Sequence, residues 1–397
     1  MSMPSSWTGL ILARRSAVPD NPLIRVAQFS NATVRAGAEE VAFGLFRGLN
    51  PERFRSYLVC PPPLLDAFSD LPRDERVLGL DLQNPWQWPQ NRDFMKFLKK
   101  ERIDILHAHM TRAALAAVPL ARWAGVPVVV QTCHGREAWR QSWASRQFWV
   151  DRRIAAWTDV TIAVSESTKS YLVAEKKLNP GKIVVIPNGR SMNGCQLEPA
   201  SAERLRADLG VVPGSAVLGV FARLEEQKGH KYLLEALPTI EAQVGAVTVL
   251  LVGDGILRPS LEKQANEMGL AGKVIFTGHR YDAPHIMAVC DLIVLPSLYE
   301  GMPLVPIEAA ALGKAVVATS VDGTLEVIEN GVTGLLAPPR DPAQLAGAIT
   351  RLILNPSLRE TLGQNARARA RGLFSQERHL RDTAACYERL REHVSPA

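Results

Sequence analysis

Residues 292–313 read LIVLPSLYEGMPLVPIEAAALG, and the fold follows from how this stretch is parsed. Leu292–Leu295 is a short apolar run of the length expected for a fully buried strand, and Pro296-Ser297 ends it. A helical run then begins around Val305 and stops before Gly313. A strand that feeds directly into a helix implies a parallel sheet, because parallel neighbours need a crossover connection.

The same rhythm runs outward in both directions. Strand-like segments at Ile24–Phe29, Tyr57–Cys60, Ile103–His107, Val128–Gln131, Val160–Val164 and Ile183–Ile186 precede a second series at Ala216–Phe221, Thr248–Val252, Val274–Thr277, Leu292–Leu295 and Ala315–Ala318. Helical periods fill the gaps, among them Ala38–Leu49, Arg112–Ala124, Thr168–Glu175, Tyr232–Gln243 and Pro259–Met268. The class is α/β, with two doubly wound sheets. The rhythm pauses over Pro187–Gly214, where Asn188-Gly189, Asn193-Gly194 and Pro213 cluster, so a hinge is expected there. The implied division is a flexible tail (1–22), a first domain (23–190), a hinge (191–214), a second domain (215–372) and a closing helix (373–397) expected either to cover the second sheet or to cross back to the first domain. Ligands in open α/β sheets sit beyond the carboxyl ends of strands, which puts the site in the cleft between the domains.

Composition agrees with two domains: 397 residues, 47% hydrophobic and 22% charged, against about 150 residues per domain. The net charge of +6 is uneven, since residues 1–190 carry +9 and residues 191–397 carry −3. Five scattered cysteines without C-x-x-C spacing argue against a disulfide framework or a structural zinc site and suit a reducing cytoplasm. No apolar run approaches the ~18 residues of a membrane span, and Met1–Pro22 places its arginines after its apolar stretch, unlike a cleaved signal.

Within the second half, chemistry-bearing residues gather at strand ends. Glu300 lies in the loop past a strand and Glu308 one turn into the next helix, so both can face the cleft beside the helix's free N–H groups. A carboxylate so placed can accept from the vicinal hydroxyls of a ribose, and the earlier one can reach a sugar attached beyond the phosphates. Taken alone, the spacing fits equally well a solvated Glu308 and an ordinary loop charge at Glu300. Arg223 and Lys228 follow the strand Val217–Phe221 in an otherwise acidic half. Arg223 offers a planar fork and Lys228 a point charge, together suited to a diphosphate. Gly253-Asp254-Gly255 is a turn that allows close backbone approach to a ligand.

In this order the stretches resemble the retaining nucleotide-sugar glycosyltransferases of family four, which have the GT-B fold. The resemblance takes in Ala222–Gly229, Gly253–Gly255, Val274–Gly278, Asp291–Glu308 and Asn330–Leu336, and in the first half Ala36–Glu39, Ile105–His109, His134-Gly135, Val164–Glu166 and Ile186–Gly189. It implies that Glu308 holds the donor ribose, that Glu300 contacts donor-sugar hydroxyls, and that Arg223 and Lys228 clamp the diphosphate. It also implies that Gly37 approaches the donor phosphates from the first domain and that His134 contacts the donor sugar near the reacting carbon. Gly253, Gly278, His279 and the run Gly301-Met302-Pro303-Leu304-Val305 are expected to complete the donor site. Two positions depart from the family: the paired glycines are Ala36-Gly37, and Asn188-Gly189 is followed by Arg190-Ser191 where an apolar residue and an Asp are usual.

The resemblance further implies retention by front-face transfer with no bound metal and no cofactor. The donor is a nucleotide sugar, UDP-hexose by default and GDP-mannose next. The acceptor is a glycan or lipid-linked sugar in cell-surface polysaccharide or lipopolysaccharide synthesis. No Asp-x-Asp triplet is present to hold a divalent ion against a diphosphate. His107 and His109 alternate along a strand, so they share a face and read as packing and cleft lining, as His230 and His285 read as structural. Two aromatic and basic clusters, Trp86–Lys100 and Trp139–Trp157, suit an anionic membrane surface or a phosphorylated acceptor at the inner face of the cell membrane, although Phe148, Trp149 and Trp157 also fit core packing. The cations form no recognition helix or aromatic platform, which sets nucleic acid aside. Rival readings on the same architecture are a sugar-nucleotide epimerase, a sucrose- or trehalose-type synthase, and a non-catalytic sugar-nucleotide binder.

Overall fold

The structure is a computed structural model that describes residues 23–394 except 69–70, 73, 83–87, 138–147 and 194–196. Trp86, Trp139, Arg140, Trp143, Arg146, Gly194, Cys195 and the tail Met1–Pro22 therefore lie outside the described residues. Seven strands form the first sheet: β1 Ile24–Phe29, β2 Phe54–Cys60, β3 Val77–Gly79, β4 Ile105–His109, β5 Val128–Cys133, β6 Val160–Ala163 and β7 Ile183–Val185. Six form the second: β8 Ala216–Phe221, β9 Val247–Val252, β10 Val274–Gly278, β11 Leu292–Leu295, β12 Val316–Thr319 and β13 Leu335–Ala337.

The sheet orders are β3-β2-β1-β4-β5-β6-β7 and β10-β9-β8-β11-β12-β13, and the strand pairs are parallel. Each sheet reverses direction once, between β1 and β4 and between β8 and β11. Ligands gather at such switch points, outside the carboxyl ends of the strands. Helices cover both faces, so the strands are largely buried and apolar; β4, β5, β9, β11 and β12 are buried at every position, including His107 and His109 of β4. The family of apolar side chains above β8, β11 and β12, including Phe221, Ile293 and Leu295, also takes in Val41, Leu45 and Val164 of the first domain, so the cores touch beneath the cleft.

Within the stretch expected as a hinge, Pro199–Asp208 forms a helix. It lies on the second domain, where the Arg206 guanidinium donates to the Val289 carbonyl at 2.8 Å. Asn188-Gly189 and Pro213 lie on either side of it, so the stretch is not continuous coil. Beyond residue 372, the chain returns: Arg190 N–H donates to Phe374 O and Gln376 N–H to Arg190 O, each at 2.9 Å. The last helix, Gln376–Val394, then packs Cys386 and Tyr387 against Ile24, Val26, Ile105 and Val128 of the first sheet.

Tyr387 reaches a layer of buried imidazoles. Its hydroxyl lies 2.5 Å from His107 Nδ1 and accepts from Gln28 Nε2 at 3.1 Å, and Gln28 Oε1 meets His109 Nε2 at 2.9 Å. Burial pushes His107 and His109 well below the usual imidazole range, and neighbouring imidazoles push the same way. Burial also brings His134 down to about 3 and His379 to about 4. An unfolded histidine titrates near about 6.5, so the fold favours the neutral form. That contribution is fully present above the unfolded value and declines as the pH falls below it, because the unfolded chain binds protons that the native state refuses, at about 1.4 kcal/mol per pH unit for each such group. The urea midpoint is therefore expected to drop between about pH 7.5 and about pH 5.5. An equal midpoint at both would contradict the buried, neutral assignment.

Candidate active site

The loops beyond β1, β4, β8 and β11 enclose a cleft of about 1420 Å³ between the domains. From the second domain its walls include Arg223, Lys228, Glu300 and Gly301–Val305; from the first they include Arg35, Gly37, Glu39 and His134. Of the residues expected at the donor, His134, Arg223, Lys228, Glu300, Gly37, Gly301, Met302, Pro303, Leu304 and Val305 are thus brought to one cavity.

Backbone contacts at glycines hold these loops. Gly229 has φ +64°, and a Cβ there would stand 2.0 Å from the Pro296 carbonyl oxygen. The loop after β8 is consequently pressed onto the loop after β11, and Leu298 N–H donates to Gln227 O at 2.7 Å. That contact delivers Lys228 to Glu300: Nζ donates to Oε1 at 2.6 Å, and Ser297 Oγ donates to the same oxygen at 2.7 Å. The Glu300 side chain is 6% exposed and that of Lys228 17%. Both donors fall on Oε1, leaving Oε2 without a protein donor among the described residues. Arg223 is half exposed at 51% and pairs with Glu225 at 2.7 Å. An exposed pair of this kind is worth little, so the guanidinium can exchange Glu225 for an incoming anion.

From the first domain, His134 and Gly135 press on the same loop. A Cβ on Gly301 would stand 1.9 Å from the His134 carbonyl oxygen, and one on Gly135 would stand 2.8 Å from Gly301 Cα. Ser165 Oγ donates to Gly301 O at 2.8 Å while accepting from Thr168 N–H as the cap of its own helix, so it performs both roles. Glu326 of the second domain accepts from the backbone N–H groups of Glu166 and Ser167 at 3.0 and 2.8 Å. Gly37 packs on Leu304, with its notional Cβ 3.1 Å from Leu304 Cδ1. His134 Nε2 is a buried atom with no hydrogen-bond partner among the described residues.

Four of the expected donor residues stand outside the cavity walls. Gly253 supports them from behind: at φ +143° its Cβ would lie 2.1 Å from Ala222 O, so this turn backs the Arg223 loop. Gly278 accepts from Gly253 N–H at 2.9 Å, and His279 lies edge-on to Tyr281 at 5.0 Å. Glu308, in the first turn of Val305–Ala311, has its carboxylate on Arg190. Nor do His107 and His109 line the cleft; they lie in the buried layer described above. Conversely, Glu39 lines the cavity as a buried carboxyl whose pKa burial pushes up, while the nearby Arg223 charge pulls it down. Arg35, Arg112, Trp123 and Glu137 line it too, although nothing in their spacing announced it, and so does Trp88 of the aromatic and basic cluster Trp86–Lys100.

This geometry has counterparts. The model of the family described as "Glycosyl transferases group 1" matches residues 201–369, and that of "Glycosyltransferase Family 4" matches residues 35–192. Among curated relatives, the chain is 29% identical over 339 residues to a UDP-Gal:alpha-D-GlcNAc-diphosphoundecaprenol alpha-1,3-galactosyltransferase of Escherichia coli, covering 83% of this chain and 88% of that one. It is 32% identical over 297 residues to a glycogen synthase of Mycobacterium tuberculosis, covering 72% and 69%. Among solved structures, Anabaena HepE in complex with UDP and glucose superposes with a TM-score of 0.81 at 25% identity, over 92% of this chain and 99% of that one. Its two facing parallel sheets, its loops and these matches place the chain in the group 1, family 4-like glycosyltransferases, hexosyltransferase-type enzymes of the GT-B fold.

Proposed function

We propose that this glycosyltransferase moves a hexose from a UDP-sugar to a glycan or lipid-linked acceptor in polysaccharide or lipopolysaccharide synthesis, with retention and without a metal ion. The observation that carries the reading is the Lys228–Glu300 pair held at 2.6 Å on the cleft wall beside Arg223. The cavity, about 1420 Å³, exceeds the ~300–1,000 Å³ usual for one small ligand and has room for donor and acceptor together. The UDP seen in the HepE complex and the lipid-linked acceptor in the galactosyltransferase's name support the substrate classes.

In the proposed reaction the bond from the sugar's anomeric carbon to the β-phosphate oxygen breaks, and the bond from the acceptor oxygen forms on the same face. The acceptor proton passes to the departing phosphate oxygen. Lys228 and Arg223 meet the charge that grows on the diphosphate, the role a metal fills elsewhere, and a cation fixed as Lys228 is stabilises such charge strongly. Lys228 is held in place by Glu300, whose unoccupied Oε2 can accept from a donor-sugar hydroxyl. Glu308, one turn behind the Leu304-Val305 wall, takes the ribose hydroxyls, and His134 approaches the sugar from the first domain.

No helix among the described residues is long and apolar enough to cross a membrane. The basic first half and the exposed indoles of Trp88, Trp149 and Trp157 support peripheral contact with an anionic membrane. Co-sedimentation with phosphatidylglycerol vesicles at low salt is the expected result, and protein left in the supernatant would remove this part of the reading.

A panel of nucleotide sugars tests the donor site by thermal shift, since a ligand at 100 times its Kd adds about 2.7 kcal/mol. One UDP-hexose is expected to raise the melting temperature, with the shift lost in Glu308→Ala and reduced in Lys228→Ala and Arg223→Ala. Equal shifts in all three variants would refute the assignment.

A further inference from the structure

Arg190 departs from the family pattern and occupies an unusual position. Its backbone is where the two chain crossings between the domains pair, through the bonds to Phe374 O and from Gln376 N–H. Gly189 permits that pairing, because a Cβ there would stand 2.4 Å from Ser375 O. The side chain then reaches both domains. Nε donates to Glu308 Oε1 at 2.6 Å and a terminal nitrogen reaches the same oxygen, while Nη1 donates to Glu40 Oε2 at 3.1 Å. Glu40 belongs to the first-domain helix Gly37–Gly48 and also holds Arg35 of the loop after β1. Charges therefore alternate along Arg35, Glu40, Arg190 and Glu308, from one cleft wall to the base of the other.

Building on the reading of Glu308 as the ribose-binding carboxylate, we infer that Arg190 is its positioning residue: the guanidinium fixes Oε1 and so presents Oε2 to the ribose hydroxyls, with Glu40 anchoring the guanidinium from the other domain. Three features fit this role. The planar fork can hold two carboxylates in a set geometry, which an ammonium cannot. Both of its contacts to Glu308 fall on one oxygen, leaving the other for a ligand. Burial opposes the charge, yet Glu308 and then Glu40 outweigh it and hold the guanidinium above its ordinary range, so it stays charged. Arg190, at the junction of the first domain and the hinge, thereby acts on the proposed donor site through Glu308.

The test measures, by titration calorimetry, the affinity of UDP and of 2′,3′-dideoxy-UDP, with the two guanosine counterparts alongside. Wild type is expected to prefer the ribonucleotide of one base. In Arg190→Gln that preference falls about tenfold, while affinity for the dideoxy form stays within about twofold. Arg190→Lys and Glu40→Gln are expected to lose less, and they carry the test if Arg190→Gln does not fold by circular dichroism. Glu308→Gln separates this inference from the reading beneath it. If Glu308→Gln flattens the preference and the Arg190 and Glu40 variants keep it, Arg190 has no positioning role. Equal losses for ribose and dideoxy forms in the Arg190 variants show a merely structural bridge and overturn it as well. If Glu308→Gln itself keeps the preference, or wild type binds neither ribonucleotide, the donor reading fails and takes the inference with it.

Discussion

Close approach of backbone to backbone across the cleft is the constraint on which the site depends. Gly301 can lie against the His134 carbonyl only because it has no Cβ, which would otherwise stand 1.9 Å away. The same loop meets Gly323 from within its own domain, where a Cβ would stand 1.7 Å from Gly301 O. Residues 300–302 are thus wedged between two backbones. Side chains on that loop inherit its position, and Glu300 inherits most, being tied further by Ser297 and by Asp322, whose carboxylate accepts from Glu300 N–H at 3.2 Å. Gly229 does the same for Lys228. Rigid backbone contacts, rather than side-chain packing, set the distance between the cation and the carboxylate.

The electrostatics divide accordingly. Lys228 is mostly withdrawn from water and its ion pair has one geometry, so it stands ready as a fixed charge. Arg223 is half exposed, and its pair with Glu225 is weak enough to be traded. In the proposed reaction, one cation is positioned before a ligand arrives and the other is recruited by it. Glu39 lines the same cleft from the first domain as a buried carboxyl whose pKa burial pushes up and the Arg223 charge pulls back.

Much of this was legible in the sequence. Strand cores at Ala216–Phe221 and Leu292–Leu295 coincide with the strands formed, because parallel strands buried on both faces are continuous apolar runs, and Ile24–Phe29 also coincides although Arg25 and Gln28 interrupt it. Two strands escaped, Val77–Gly79 and Leu335–Ala337, each three residues long; Ile183–Val185 is as short but runs on into the apolar Ile186, which made it visible. The cleft loops were legible through their glycines, since Gly229, Gly253 and Gly301 mark places where backbones touch. Their roles were less so: Gly253 serves as a buttress to residue 222 instead of a wall. What spacing could not show is pairing between distant segments. Lys228 and Glu300 are 72 positions apart, and Arg190 lies 118 from Glu308 and 150 from Glu40. Only the unusual Arg190-Ser191 hinted at the last group, as a charged residue where an apolar one is common.

The central claim is that protein cations, not an ion, carry the leaving diphosphate while the new bond forms on the face the old one left. Proton NMR of the transferred sugar's anomeric position, followed during turnover of a UDP-α-hexose in excess EDTA, tests it most directly. The account predicts unimpaired turnover and an α-linked product. A β-linked product, or activity that stops on chelation and returns with magnesium or manganese, would contradict it.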